Sequence, residues 1–218
     1  MGIYVGDKRY APYIGDKRRE VRNKKALPYD AEIEYLESTG TEWIDTGIVP
    51  DFSTTVKMNG IIYKGQGYYL AGARTGSATA NMFVPLMARD GNFTRFFLGS
   101  DTSSTLVSNG YDVAQEIHFN EYQTHKVYIR GSLVKTFSAG NVVDTQTTLA
   151  LFGINGTGRN HSTGKIRITY CQIFVDGVLT RDYIPVRKGT VGYLYDKVTK
   201  QLYGDVNGGS FSLGPDKN

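Results

Sequence analysis

A chain of 218 residues, 40% of them hydrophobic, has enough apolar content to bury a core, which excludes disorder over most of its length. Its 26 glycines and 16 tyrosines favour many short strands joined by tight turns over a helical fold. The net charge of +4 is unevenly placed: residues 1–25 carry eight basic and three acidic side chains, and the remainder carries 17 basic and 18 acidic. The body of the chain is therefore nearly neutral, and the basic charge belongs to an N-terminal arm.

This arm contains a doubled phrase, YVGDKR at Tyr4–Arg9 and YIGDKR at Tyr13–Arg18. Each copy joins an aromatic and a β-branched residue to a Gly-Asp turn, so each could form a short extended strand with GDK as the bend. The arm has too little apolar surface to fold alone, and we expect it to become ordered against another subunit. The predicted docking residues are Tyr4, Val5, Lys8, Arg9, Tyr13, Ile14, Lys17 and Arg18. A flexible leader with no docking role is the alternative.

The next segment marks a domain boundary. Pro28 and the charge run before it separate the arm, residues 1–28, from a folded body, residues 29–218. The runs EIEYLEST and TEWIDTGI, split by Gly40, predict a strand pair or a strand with a bend. Further along, Asp90-Gly91 predicts a hairpin, because Asp-Gly is the strongest short hairpin signal.

The last third of the chain predicts two more hairpins. IRITYCQIFVDGVLTRDYIPV turns at Asp176-Gly177, and GYLYDKVTKQLYGDV turns through DKVTK. In the first run the apolar residues change parity, which predicts a bulge near Cys171 or burial on both faces. Cys171 is the single cysteine and is predicted to be a buried structural thiol. Many strands without helical crossovers predict an antiparallel sandwich or barrel.

Several passages resemble one family of domains. EIEYLESTGTEWIDTGI, LFGINGTG, the long passage from GKIRITYCQIF to QLYGDV and the closing GSFSLGPDK resemble concanavalin A-like (laminin-G-like) jelly-roll domains found in phages, prophages and surface proteins of gut bacteria. The resemblance covers roughly residues 29–218, and the doubled GDKR phrase resembles leader segments ahead of such domains in phage structural proteins. It implies an all-β, antiparallel two-sheet jelly-roll β-sandwich with an extended N-terminal arm, and a role in a virion or at a cell surface.

Candidate chemical sites are few. Glu32, Glu34 and Glu37 resemble by their spacing the catalytic strand of jelly-roll glucanases, but solvent-facing strand residues are the favoured interpretation. The three histidines lack metal-ligand spacing, so no metal site is predicted, although calcium held by backbone carbonyls stays open. Sugar binding would use loop aromatics and amides. The candidates are Tyr68, Tyr69, Tyr111, Asn155, Arg159 and Asn160.

The function that these patterns favour is that of a non-enzymatic phage virion protein. We expect a capsid decoration, head fibre or tail module, made in the bacterial cytoplasm and anchored to other virion proteins by its arm, with host-surface glycans as a further ligand. A homo-oligomer is expected, because a symmetric particle is built from repeated, equivalent copies of its proteins. No cofactor, nucleic acid or membrane partner is expected. Two alternatives remain: a stand-alone or cell-surface carbohydrate-binding module, and a glycoside hydrolase that uses Glu32 and Glu37.

Overall fold

The structure, a computed structural model, describes residues 3–5, 8–10, 20–21, 26–63, 68–75, 81–89, 93–106, 114–138, 143–156 and 164–218. Strands are the main regular structure of these residues, beside one short 3-10 turn at Glu121–Gln123, and no helix among them is long and apolar enough to cross a membrane. The strands in chain order are β1 (Ile3–Val5), β2 (Lys8–Tyr10), β3 (Glu20–Val21), β4 (Ala31–Glu32), β5 (Leu36–Ser38), β6 (Ile44–Asp45), β7 (Thr55–Ile62), β8 (Tyr69–Arg74), β9 (Met82–Arg89), β10 (Phe93–Gly99), β11 (Asp101–Leu106), β12 (Gln115–Phe119), β13 (Lys126–Ile129), β14 (Ser132–Thr136), β15 (Ala150–Leu151), β16 (Asn155–Gly156), β17 (Ile166–Val175), β18 (Val178–Lys188), β19 (Val191–Asp196), β20 (Gln201–Tyr203) and β21 (Ser212–Leu213).

The described strands form three sheets. The smaller sandwich sheet has the order β11-β10-β9-β8-β15-β6, with β16 added in parallel beside β8. The larger sheet has the order β14-β13-β12-β7-β17-β18-β19-β20, with β4 beside β18, β5 beside β17 and β21 beside β5. The arm strands β1, β2 and β3 pair antiparallel with one another. The two large sheets form the antiparallel β-sandwich of the jelly-roll type that the sequence predicts.

The sandwich core is apolar and comes from both large sheets. Alternate side chains of the larger sheet, such as Val56, Met58 and Ile173, are fully buried. They share one cluster with Leu70 and Phe96 of the smaller sheet. Strand alternation sends the residues between them to the outer face, so the buried pattern fixes which side chains are available to solvent.

The predicted hairpins are present. β9 pairs antiparallel with β10 across the Asp90-Gly91 turn, whose own residues lie outside the described ranges. β17 and β18 meet at Asp176 and Gly177, with φ values of 51° and 75°. Positive φ at both central residues is the type I′ requirement that makes Asp-Gly a strong hairpin signal. β19 pairs with β20 across the DKVTK turn.

The predicted bulge lies in β17. Its register against β7 shifts between Ile168 and Tyr170. Ile168 and Cys171 are both buried although they are three residues apart, so the inserted residue resets the alternation. Cys171 is the predicted buried thiol, and burial raises its pKa above the ordinary value. Beyond the bulge, Phe174 faces outward.

The segment Ala31–Asp45 differs from its prediction as a strand pair. β4 and β5 join the larger sheet, whereas β6 joins the smaller sheet, so these runs do not pair with each other. The chain crosses between the sheets through residues 39–43. Glu42 organises this crossing, because its buried carboxylate accepts hydrogen bonds from the Thr39 amide at 2.8 Å and the Thr39 hydroxyl at 2.9 Å.

Candidate functional site

A groove of about 300 Å³ opens on the outer face of the larger sheet, at one end of the sandwich. Three segments meet there: the start of β7, the turn after β12, and the β17–β18 hairpin. We name it the Tyr122 groove; it is lined by Thr55, Lys57, Tyr122, Gln123, Phe174, Asp176 and Gly177. Lys57 lies across the sheet from His118 on one side and Gln172 on the other, so the strand register sets its position.

Tyr122 is the most exposed aromatic side chain of the groove, at 76%. It lies in a turn, Glu121–Gln123, whose backbone is unusual. Tyr122 has φ 53° and Gln123 has φ 60°, and the flanking Asn120 and His125 also have positive φ, at 52° and 58°. Non-glycine residues rarely adopt this left-handed conformation, which costs roughly 1–2 kcal/mol per residue. The fold therefore holds an exposed aromatic ring in one position at a cost in stability, and such strain is typical of functional sites.

Asn120 fixes this turn. Its buried side chain donates to the carbonyl oxygens of Phe52 at 2.8 Å and Thr54 at 2.9 Å. Its Oδ1 accepts from the amide of His125 at 2.9 Å. The Thr55 hydroxyl donates to the Asn120 carbonyl at 2.8 Å. One amide side chain thus ties the turn to the segment before β7, and this network offsets the left-handed backbone.

The positive charge of Lys57 is paired with the carboxylate of Glu121. Its Nζ lies 2.8 Å from Glu121 Oε1, and 4.8 Å and 5.8 Å from the ring centroids of Tyr122 and Phe174. Partial burial alone would lower the pKa of Lys57, but Glu121 raises it. Burial likewise would raise the pKa of Glu121, but hydrogen bonds from Lys57 and His118 lower it. The pair stays ionised and positions both rings.

Asp176 differs from these groups, because its carboxylate is exposed and has no hydrogen bond or ion pair with any described residue. Gln123, which also lines the groove, donates its Nε2 to the Ser53 carbonyl at 3.3 Å. The groove thus combines two aromatic rings with polar groups on a rigid frame. Rings pack against apolar faces of a ligand, and free oxygens accept hydrogen bonds from its hydroxyls.

A second polar cluster lies on the same outer face, at the other end of β17. We name it the Glu37 cluster: Glu37, Tyr63, Lys165 and Arg167. Glu37 is 5% exposed; it accepts from Arg167 Nη2 at 2.8 Å, from the Tyr63 hydroxyl at 3.0 Å and from Lys165 Nζ at 3.1 Å. Burial alone would raise the pKa of Glu37, but these three donors lower it.

The Glu37 cluster bears on the hydrolase alternative. Burial and the neighbouring Glu37 raise the pKa of Tyr63 to about 12, so the phenol stays a donor. Glu37 is therefore a saturated, ionised acceptor. A glycosidase needs one carboxyl that can carry a proton to the leaving group. Glu32 lies on β4 beside β18, is exposed, and accepts from the Tyr29 hydroxyl at 3.3 Å. The hydrolase alternative stays a prediction.

The predicted glycan residues lie elsewhere. Tyr68 packs against the main core, with its ring directly over Gly164, where a side chain would collide with the ring. Tyr69 packs against a second apolar cluster on the opposite face of the smaller sheet. Asn155 donates to the Thr148 hydroxyl at 2.9 Å. None of these three lines the Tyr122 groove. Tyr111, Arg159 and Asn160 lie outside the described residues.

The predicted docking arm is described in part. Tyr4 pairs with Arg9 and Val5 with Lys8, so the first GDKR phrase spans a hairpin, and β3 adds to its second strand. None of these described strands joins either sandwich sheet. Tyr13, Ile14, Lys17 and Arg18 of the second copy lie outside the described residues. Docking of the arm to a partner stays a prediction.

Sequence reasoning missed the groove residues. Tyr122 is an aromatic in the polar run NEYQTH, between two alternating strands, and the rule used for the other loop tyrosines applies to it equally. Phe174 could not be found in this way, because its outward direction depends on the bulge in β17.

Within the described ranges, no group of three or more metal-ligating side chains is present.

Comparisons with known proteins support the fold. No family model matches the sequence, and no curated protein matches it. The chain is similar to the solved structure of a proposed carbohydrate-binding protein from Bacteroides ovatus ATCC 8483, with a TM-score of 0.53 and 12% identity over 86% of this chain and 61% of that one. A mutant NanB sialidase from Streptococcus pneumoniae matches with a TM-score of 0.46 and 14% identity, over 87% of this chain and 40% of that one. The chain thus spans less than two thirds of either structure, and at this identity the first match shows a shared β-sandwich fold.

Proposed function

We propose that this protein is a carbohydrate-binding module that holds a sugar in the Tyr122 groove. The observation that carries the proposal is the exposed Tyr122 ring, held in a left-handed turn beside Phe174 and the unpartnered carboxylate of Asp176. An aromatic ring stacks on the apolar face of a pyranose, and a carboxylate accepts from its hydroxyls. If Tyr122 packed in the hydrophobic core, its side chain would be buried, but the side chain is exposed.

The fold comparison adds to this proposal, because one structural neighbour is itself a proposed carbohydrate-binding protein. We therefore place the carbohydrate-binding module ahead of the phage virion role. The virion role, with its arm docking and homo-oligomer, stays a prediction, tested by whether deletion of residues 1–25 abolishes incorporation into particles.

The test is a glycan array with the full chain, followed by calorimetric titration of each glycan that binds. Tyr122→Ala and Phe174→Ala are expected to lose binding, with Tyr122→Ala weakening it about 30-fold, a typical loss at a binding hot spot. Val206→Ala is the matched control, because Val206 is an exposed apolar side chain outside the groove.

Three outcomes overturn the proposal. The first is that no glycan binds the wild-type chain. The second is that Tyr122→Ala binds as the wild type does. The third is that Asn160→Ala abolishes binding while both groove variants bind normally, which would move the site to the loop predicted from the sequence.

A further inference from the structure

The charges at the Tyr122 groove carry an inference about its ligand, which rests on the proposed function. The groups in question are Lys57, Glu121 and Asp176. Lys57 is the one cation among the described lining residues. Glu121 lies directly behind it, and Asp176 lies at the hairpin turn. Two carboxyl groups and one ammonium group therefore lie at the groove.

Lys57 is not available as a partner for a negatively charged sugar. Its Nζ makes a 2.8 Å ion pair with Glu121, and the Lys57 side chain as a whole is 18% exposed. To bind a ligand carboxylate, Lys57 would have to leave Glu121 or share its charge with it. Glu121 also contacts His118 Nδ1 at 3.2 Å, and His118 Nε2 lies 3.4 Å from Glu116. A ligand carboxylate would therefore meet a groove whose one lining cation, Lys57, already has an anionic partner.

Asp176 opposes an acidic ligand directly. Its exposed carboxylate has no partner among the described residues and lies on the groove wall. Two like charges near 4 Å repel by an energy that depends strongly on the local dielectric. A cationic ligand is disfavoured for a different reason, because the Lys57 ammonium already lies over both aromatic rings. An uncharged sugar avoids both conflicts.

We propose that the Tyr122 groove selects uncharged glycans and rejects sugars that bear a carboxylate, with Asp176 as the residue that determines this specificity. Uronic acids and sialic acids share the rejected chemistry. Asp176 accepts hydrogen bonds from the hydroxyls of a neutral sugar and repels a carboxylate in the same position. The Lys57–Glu121 ion pair supports this selection, because Lys57 is the one cation among the described lining residues and Glu121 already occupies it.

The test compares matched glycans printed on one array: galactose-terminated N-acetyllactosamine with its sialylated form, and glucose-terminated with glucuronic acid-terminated oligosaccharides. For the wild-type chain we expect neutral members to bind at least about tenfold more tightly than their acidic partners, as like-charge contacts predict. The difference should shrink as salt is raised, because Asp176 is exposed and its charge is screened.

Two variants separate the determinants. Asp176→Asn removes the charge but keeps an oxygen acceptor and a residue suited to the type I′ turn. It should recover most of the lost acidic binding, so that the ratio of neutral to acidic affinity falls about tenfold relative to the wild type. Lys57→Gln tests the opposite assignment, in which Lys57 recruits acidic sugars; a selective loss of acidic binding in that variant would overturn the inference.

The outcomes are distinct from those of the proposed function. If acidic members bind the wild type as tightly as neutral ones, and Tyr122→Ala still abolishes binding, the inference fails while the proposed function stands. If Asp176→Asn leaves the neutral-to-acidic ratio unchanged, Asp176 is not the determinant. If no member binds at all, the proposed function fails and the inference fails with it.

Discussion

The Glu37 cluster and the Tyr122 groove lie on the outer face of one sheet, at opposite ends of β17, and they are built in opposite ways. In the Glu37 cluster, the carboxylate is 5% exposed and has three donors. The Arg167 guanidinium also stacks on the Tyr35 ring, 3.4 Å from its centroid. At the groove, Asp176 is exposed and unpartnered, and the Tyr122 ring stands 76% exposed.

This difference shows that polar groups with internal partners stabilise the fold, whereas polar groups without them remain available to bind a ligand. A buried carboxylate with all its donors in place stabilises the fold and offers nothing to a ligand. An exposed carboxylate beside an unpacked ring contributes little to stability and remains available for binding. The backbone shows the same contrast, because four non-glycine residues in and beside the turn that presents Tyr122 have positive φ values.

Removing Glu37 should give the largest change in stability. Glu37→Ala leaves Arg167 and Lys165 without their anion, and is expected to lower the free energy of unfolding by about 3 kcal/mol, as when one partner of a buried ion pair is removed. Asp176→Asn is the matched control, because asparagine suits the positive φ of the type I′ turn, and it should change the free energy of unfolding by less than about 0.5 kcal/mol. Urea denaturation of both variants measures the difference. Equal losses would remove the contrast between the two regions.

Asn120→Ala connects stability with binding. It removes three side-chain hydrogen bonds from a fully buried position, so we expect a loss of about 2 kcal/mol in unfolding free energy. Because Asn120 holds the Tyr122 turn, glycan binding should also weaken, whereas Glu37→Ala should bind normally when folded. Denaturation and calorimetric titration test the pair. Unchanged binding by Asn120→Ala would show that the turn holds its shape without this anchor.

Tyr122→Gly and Tyr122→Ala separate backbone strain from the ring. Glycine adopts the φ of 53° without a Cβ clash, whereas alanine keeps the clash. The glycine variant should therefore be more stable than the alanine variant by about 1 kcal/mol, the scale of the left-handed penalty. Both should lose binding equally, since both lack the ring. A more stable alanine variant would mean that the left-handed turn is not strained.

Acid should weaken both regions through the same mechanism. The folded protein lowers the pKa values of Glu37 and Glu121 below their ordinary value of 4.5. As the pH falls below 4.5, the unfolded chain takes up protons first, so stability is present above that pH and is lost through the folded pKa values. Glu37→Gln should show a smaller loss of melting temperature between pH 6 and pH 3 than the wild type. An identical loss would contradict the lowered pKa of Glu37.

Short-range chemistry in the sequence predicted much of the fold. Asp176-Gly177 specifies its own type I′ turn, because the required positive φ values depend on these two residues and little else. The parity change around Cys171 predicted the bulge, since burial on one face forces an extra residue wherever the apolar alternation slips. The candidate sugar residues Tyr68 and Tyr69 show the limit: as tyrosines beside a glycine-containing run they resembled surface binders, but both pack against apolar clusters.

The sequence by itself determined the class of fold, the strand alternation and the turns, because these depend on neighbours within a few residues. The tertiary structure alone decided which polar groups find partners. Glu37 meets Arg167 across 130 positions of chain, and Lys57 meets Glu121 across 64. No local pattern distinguishes the carboxylate that is neutralised in this way from Asp176, which is left free, because the difference arises only when distant strands come together.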